Sequence, residues 1–304
     1  MEKFSIIIPT YKRNRYVIQA IDSVIKFSPT AIGTEIIVVD DDEKSKLGKL
    51  VKKKYGDRVK YFRNHKNSGP GFSRQFGLSQ STGEYVVFMD DDDFYLSNKF
   101  FIKALNIFKK YKQLSFVGFN SYDYIEKNNK FTKKDPLTQT GYIGREKYLK
   151  EFMIKYSKPK STFTSVFKRS NLVNSGIMNV KMLNDTVIYL RALLCGDAYL
   201  CEDYIGAYRI HLKRITGNVS QSFILENLEE KKHISYLLPF NKIDKSKWLF
   251  NQTWISVVYL FENHDENTNL ELIKKWYFSQ DLLIKCLFVS HLAKYHLKSY
   301  IGKK

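Results

Sequence analysis

The sequence predicts an α/β protein: a mostly parallel central sheet flanked by helices, followed by a helical carboxyl-terminal extension. Three observations carry this. Short β-branched runs alternate with helix-period segments through the first third of the chain. Three of those runs end in polar groups, "PTYKR", "DDDE" and "DDDD". From about residue 220 the apolar spacing is helical to the end.

Taken in order, "FSIIIP" reads as a buried strand, and Val17, Ile18, Ile21, Val24 and Ile25 then recur at helix spacing. "EIIVVD" is a second strand, followed by a lysine-rich helix through "KLVKKKYG". "VKYFRN" is a third, a helix runs from about Gly71 to Ser81, and "EYVVFMD" is a fourth. This alternation means βαβ units, and ligands of such sheets bind beyond the carboxyl ends of the strands. Two acidic clusters and a Tyr/Arg loop therefore share one edge. After Asn98 come a helix ("KFFIKALNIFKKY") and a strand ("LSFVGF"), then a polar, basic region over 121–160 without clear periodicity. "STFTSVFKRS" reads as a strand returning to the sheet, "TVIYLRALLCG" as a helix, and "AYLCEDYIGAYRIH" as one or two strands. The expected division is a domain over 1–217 and a helical subdomain over 218–304.

At 304 residues the chain can bury one full core with an appendage, and its 43% hydrophobic and 15% aromatic content is that of a globular protein. Cys195, Cys201 and Cys286 form no disulfide framework and have no metal-ligand spacing, which predicts a reducing cytoplasm. The start, "MEKFSIIIPT", has no signal pattern, and "LLIKCLFVSHLA" is too short to span a bilayer. The net charge of +19 is uneven: residues 99–172 hold 17 Lys and Arg against 5 Asp and Glu. Such a face attracts polyanions, among them the anionic inner leaflet of a cell membrane, where a peripheral position is expected.

Asp90, Asp91, Asp92 and Asp93 stand in a row at the end of an apolar run. One or two aspartates would suit a helix cap. Four adjacent carboxylates call for a cation, and hard divalent metals prefer carboxylate oxygens.

"FSIIIPTYKRNRYVIQAIDSV", "EIIVVDDD" and "NSGPGFSRQFGLSQSTGEYVVFMDDDDFY" together resemble family 2 glycosyltransferases of the GT-A fold, and the resemblance runs over about residues 4–216. It implies that Asp92 binds Mn²⁺ or Mg²⁺, with Asp90 or Asp91 nearer the ribose. It implies that Asp41 accepts a hydrogen bond from the nucleotide base, that Pro9, Thr10 and Tyr11 belong to the nucleotide loop, and that Arg13 and Arg74 reach phosphate. "SGIMNVKMLNDTVIYLRALLCG" resembles the family's glycine loop, with Gly176, and the helix start carrying its catalytic acid. The usual Glu-Asp pair is here Asn184-Asp185, and Asp185 is the implied base. A base is needed because the acceptor hydroxyl must lose its proton as it attacks. "YRIHLKRIT" resembles the closing motif, which places His211 near the metal or diphosphate.

The expected activity is metal-dependent, inverting transfer of a hexosyl or N-acetylhexosaminyl group from a nucleotide sugar. UDP is the favoured carrier, and a glycan or lipid-linked glycan of surface polysaccharide or lipopolysaccharide is the acceptor. A basic nucleic-acid-binding protein is the rival from another class. It predicts a reading helix or an aromatic β-platform, neither visible, and it leaves the acidic clusters without purpose. A nucleotidyltransferase of related fold needs a glycine-rich loop after the first strand, and "PTYKRNR" has no glycine.

Overall fold

A computed structural model describes residues 3–29, 32–211, 221–263 and 271–301. The first half alternates β1 (Lys3–Thr10), α1 (Asn14–Phe27), β2 (Gly33–Asp40), α2 (Leu47–Tyr55), β3 (Val59–Arg63), α3 (Gly69–Gln80) and β4 (Tyr85–Phe88). Strands β3, β2, β1 and β4 lie side by side and all parallel. Their side chains alternate between faces, as the period of two requires. Phe4, Ile6 and Ile8 join Ile36, Val38 and Val87 under α1 and α2. Ile7 faces α3 so closely that a Cβ at Gly77 would stand 2.3 Å from its methyl, which accounts for glycine there.

The second half is mixed. It comprises β5 (Phe94–Tyr95), α4 (Lys99–Lys110), β6 (Leu114–Ile125), β7 (Lys130–Thr132), β8 (Gly141–Ile143), α5 (Arg145–Lys150), β9 (Ser165–Lys168), α6 (Arg169–Asn174), α7 (Asp185–Cys195) and β10 (Asp197–Ile210). The sheet continues β4-β9-β6-β10-β5, with β7 on β6 and β8 on β10. Here β9 is antiparallel to both neighbours, while β10 is parallel to β6. "AYLCEDYIGAYRIH" is thus one long strand, irregular in register between Leu200 and Gly206. The region 121–160 contributes the outer end of β6, two three-residue strands and a six-residue helix. Pieces that short leave no periodicity to read.

Pairing between β1 and β4 stops at Ile7 and Phe88, whereas β1 stays paired with β2 to Thr10. Pro9 has no N–H to extend the ladder toward β4. A crevice therefore opens between the carboxyl ends of β1 and β4, where the chain order reverses. This is where open α/β sheets bind ligands. At the opposite end, buried Glu35 accepts hydrogen bonds from the Ser5 hydroxyl (2.6 Å), the Thr82 N–H (2.6 Å) and Lys60 (2.8 Å). Burial alone would raise its pKa, yet these donors hold it well below the usual carboxylate range.

The chain divides into two compact units, Met1–Leu212 and Lys213–Lys304. The expected boundary at 217/218 lies outside the described residues. The second unit is helical: α8 (Gln221–Leu237), α9 (Lys242–Asn263), α10 (Glu271–Phe278) and α11 (Leu282–Ile301). Its buried residues include Leu228, Ile234, Trp248, Phe250 and Trp276. Among the described residues, no helix is long and apolar enough to cross a membrane.

Candidate active site

The acidic run follows β4 into the crevice, and its four carboxylates are held by different sets of donors. Asp90 meets the Arg74 guanidinium at 2.5 Å. Asp91 turns inward, accepting from the Thr10 hydroxyl at 2.7 Å and Arg13 at 3.2 Å. Burial pushes its carboxyl up to about 7. Asp92 lies between Arg13 and His211 Nε2, each at 2.8 Å. Asp93 is fully enclosed, accepting from the Ser161 hydroxyl (3.1 Å) and the Arg209 N–H (3.2 Å), and burial raises its pKa well above the usual value. The run therefore divides into an outward pair, Asp90 and Asp92, and an inward pair, Asp91 and Asp93. Like charges tolerate this spacing because every carboxylate meets donors, Arg13 being shared between Asp91 and Asp92.

Helix α3 carries Arg74 across to the distal half of the site. Its Gln75 amide donates to the carbonyls of Ile177 (2.9 Å) and Val180 (2.6 Å), which ties the helix to the loop before α7. A Cβ at Gly71 would come within 3.0 Å of the Leu183 backbone, so that contact is close. Gly176 opens the loop at φ 74°, a conformation glycine adopts without strain. Arg74 then reaches Asp185 at 3.4 Å while holding Asp90. Asp185 is the first residue of α7, but it is not the cap. Asn184 caps the helix, its side-chain oxygen accepting from the Val187 N–H at 3.0 Å. The carboxylate of Asp185 is thus spared that duty. Burial raises its pKa and Asp90 adds to the rise, against Arg74, Lys158 and the Thr162 N–H.

The nucleotide-side residues are less alike than the sequence suggests. Pro9 and Thr10 are buried at the end of β1. Tyr11 is 42% exposed beyond them, with the Lys12 ammonium 4.9 Å from its ring centre. Asp41 is 3% exposed, and its oxygens accept from the Asn64 amide (2.8 Å), the Ser68 N–H (2.9 Å) and the Gly69 N–H (2.7 Å). It shapes the loop that starts α3, a role that its place in an acidic pair did not signal.

Two neighbours of the acidic run escaped sequence reading. Arg209 donates to the Asp92 carbonyl (2.9 Å), to Glu126 (3.0 Å) and to Gln19 (2.6 Å), and packs against the rings of Tyr16, Phe94 and Tyr124. Its signal was available: it stands two residues before His211 at the end of a strand, so both face the same side. Glu126 accepts from Tyr16 (3.0 Å) and contacts His211 Nδ1 at 3.2 Å. It sits in the region without periodicity and had no signal.

Among the described residues, no three carboxylate, histidine or cysteine groups converge as a metal cage. The donors present nevertheless suit Mg²⁺ or Mn²⁺, which take few protein ligands and complete their shell with water and substrate phosphate. Asp92 and His211 lie 2.8 Å apart, and Glu126 on the far ring nitrogen orients the imidazole as outer partners of metal-bound histidines do.

The sequence profile of glycosyl transferase family 2 matches residues 5–171, more than half of the chain. The chain belongs to that family. An uncharacterized glycosyltransferase of Rickettsia bellii is 34% identical over 131 residues, 42% of this chain and 18% of that protein. GalNAc(5)-diNAcBac-PP-undecaprenol β-1,3-glucosyltransferase of Campylobacter jejuni is 33% identical over 180 residues, 57% of this chain and 54% of that one. The chain thus spans between about a fifth and about half the length of these relatives. The crystal structure of Staphylococcus aureus TarS 1-349 in complex with UDP-GlcNAc superposes with a TM-score of 0.65 at 18% identity, covering 93% of this chain and 77% of that one. At that identity the likeness speaks for the fold, which is the α/β architecture with helical extension expected from the sequence.

Proposed function

We propose that the chain transfers a sugar, with inversion, from a UDP-sugar to a glycan or lipid-linked glycan during surface-polysaccharide synthesis. The observation that carries this reading is Arg74, whose guanidinium joins Asp90 of the acidic run to Asp185 at the head of α7. Donor-side and acceptor-side carboxylates thereby flank one guanidinium. Asp185 accepts the proton of the acceptor hydroxyl as that oxygen bonds to the anomeric carbon. The sugar–phosphate bond breaks on the opposite face, and its electron pair leaves with the diphosphate. Arg13 and Arg74 place two cations beside the acidic run, within reach of that growing charge. Tyr11 offers a ring on which the base can stack. Asp92 and His211 would hold a divalent cation, which supplies Lewis-acid neutralisation of the diphosphate when bound. The relative from Campylobacter is named for a polyprenyl-diphosphate-linked glycan, and the TarS structure holds UDP-GlcNAc; both support this substrate class.

Titration calorimetry tests the donor side. UDP is expected to bind at least about tenfold more tightly with Mn²⁺ or Mg²⁺ than with chelator, while a short DNA duplex binds weakly. Tight DNA binding without metal-dependent UDP binding would overturn the assignment. A peripheral place on an anionic leaflet accords with the lysines of 99–172, each worth up to about 1 kcal/mol near such a surface. Co-sedimentation with phosphatidylglycerol vesicles is expected at low salt and lost at high salt. Equal pelleting with neutral vesicles would sink the membrane assignment.

A further inference from the structure

Strand β10 runs antiparallel to β5, with Gly206 opposite Tyr95 and Ala207 opposite Phe94. Beyond Ala207 the short β5 has ended, so the tail of β10 lies along the acidic run itself. Arg209 stands there, 6% exposed and beside Tyr124 in the parallel pairing with β6. Its backbone N–H donates to the Asp93 carboxylate at 3.2 Å, and its Nε to the Asp92 carbonyl at 2.9 Å. One Nη donates to Oε1 of Glu126 (3.0 Å) and the other to Gln19 on α1 (2.6 Å). The ring centres of Tyr16, Phe94 and Tyr124 lie 4.9, 5.2 and 5.0 Å from its Cζ. A rigid guanidinium fork can hold three such partners at once, which a single ammonium cannot.

Glu126 divides its two oxygens. Oε1 takes Arg209, while Oε2 accepts from the Tyr16 hydroxyl at 3.0 Å and meets His211 Nδ1 at 3.2 Å. On the other ring nitrogen, Nε2 meets Oδ2 of Asp92 at 2.8 Å. The contacts close into a circuit: Arg209 to Glu126, Glu126 to His211, His211 to Asp92, and the Asp92 carbonyl back to Arg209. Three segments far apart in the chain supply it: the turn after β4, the end of β6 and the end of β10. In a closed circuit the spacing of Asp92 and His211 cannot change without breaking another contact. The Tyr16 ring stands edge-on to the imidazole, with 5.1 Å between centres, and limits its rotation.

We propose that Arg209 and Glu126 are a positioning pair, which sets the Asp92 carboxylate and the His211 imidazole at the spacing and angle that a divalent cation requires. The proposal rests on reading Asp92 and His211 as metal ligands. Mg²⁺ demands near-ideal geometry, and side chains already held in place spare the cost of ordering them on binding. Both members act through the ligands and not on the substrate. The Arg209 guanidinium is buried among three rings and turned to Glu126, Gln19 and the Asp92 backbone. Glu126 reaches the cation site only through the imidazole it contacts.

Electron paramagnetic resonance of free Mn²⁺ measures the effect on the full chain with UDP, without turnover. Arg209→Lys keeps the charge, but one ammonium cannot serve both Glu126 and the Asp92 carbonyl. Glu126→Gln keeps an oxygen for Arg209 and thereby turns its NH₂ toward His211 Nδ1. Each is expected to weaken Mn²⁺ binding by about 10–100-fold, the usual effect of losing an outer partner of a metal ligand. UDP affinity in chelator should stay at the wild-type level, whereas a general loosening of the fold would lower both. Breaking a circuit twice costs little more than breaking it once, so the double variant should lose little more than the worse single one. Losses that multiply overturn the proposal, as do wild-type Mn²⁺ affinity in either folded variant and an equal loss of metal-free UDP affinity. Arg209 is buried, and if Arg209→Lys does not fold, Glu126→Gln decides against the background of His211→Ala. Without the imidazole, Glu126→Gln should cost no further Mn²⁺ affinity, and an additional loss of about tenfold would overturn the pairing. Failure of the metal reading looks different: Asp92→Asn would then bind Mn²⁺ as wild type does, and the pair would have no ligand to position.

Discussion

Asp185→Asn is expected to lower kcat by about 10²–10⁴-fold while leaving UDP and metal affinity within about twofold of wild type. In free-energy terms the loss is roughly 3–5 kcal/mol of transition-state stabilisation. The variant is well posed because Asn184, not Asp185, caps α7, so the substitution removes no cap. Arg74 keeps its 2.5 Å contact with Asp90 and remains in place for the diphosphate. The pH profile adds a sign. A base works ionised, and burial raises the pKa of Asp185, so wild-type activity should fall with acid from above the usual aspartate value. Asp185→Asn should lack that limb. Steady-state kinetics with a true acceptor measure the first expectation and calorimetry the second. Near-wild-type turnover would remove Asp185 from the mechanism.

How much of this site could be read beforehand depends on whether a residue's neighbours are local. The parallel strands were legible because each is a β-branched run bounded by turn residues, and the crevice followed from where those runs end. The acidic run was legible because four carboxylates after a buried strand have few structural uses. The division of that run was not. Asp91 turns inward because Thr10, some eighty positions earlier, offers a hydroxyl at 2.7 Å, and no local pattern encodes such a pairing. Asp41 illustrates the same limit, since the donors it meets come from the segment 64–69. Glu126 lies just past the end of β6, in the stretch of the second half where strands of three residues and a helix of six give no period. The turn at Asn184-Asp185 was placed correctly, but which of the two residues caps the helix required the backbone. Side-chain oxygens of either residue can cap a helix, and a shift of one position decides which is free for chemistry.

Asp92→Asn is the second large effect, and its contrast with Asp91 makes it diagnostic. Asp92 faces outward between Arg13 and His211, and His211 is steadied from behind by Glu126. Asparagine there keeps the size of the side chain and one acceptor oxygen but loses the anionic ligand that a hard divalent cation prefers. The metal-dependent increment in UDP affinity should therefore vanish, and turnover should fall at least about 10²-fold, the scale of losing one principal electrostatic stabiliser. Stability should change little, because the Asp92 carboxylate is partly exposed and the apolar core lies elsewhere. Asp91→Asn is the matched control. Its side chain is buried on Thr10, and an amide oxygen can accept the same hydroxyl hydrogen bond, so metal-dependent UDP binding should survive. His211→Ala should weaken the metal increment without abolishing it, since one carboxylate remains. Calorimetry with UDP and Mn²⁺ across the three variants orders them as Asp92→Asn, His211→Ala, Asp91→Asn from greatest to least loss. If Asp92→Asn kept the wild-type Mn²⁺ dependence while Asp91→Asn lost it, the inward carboxylate would be the ligand, and the outward pairing of Asp92 with His211 would be an ion pair and nothing more.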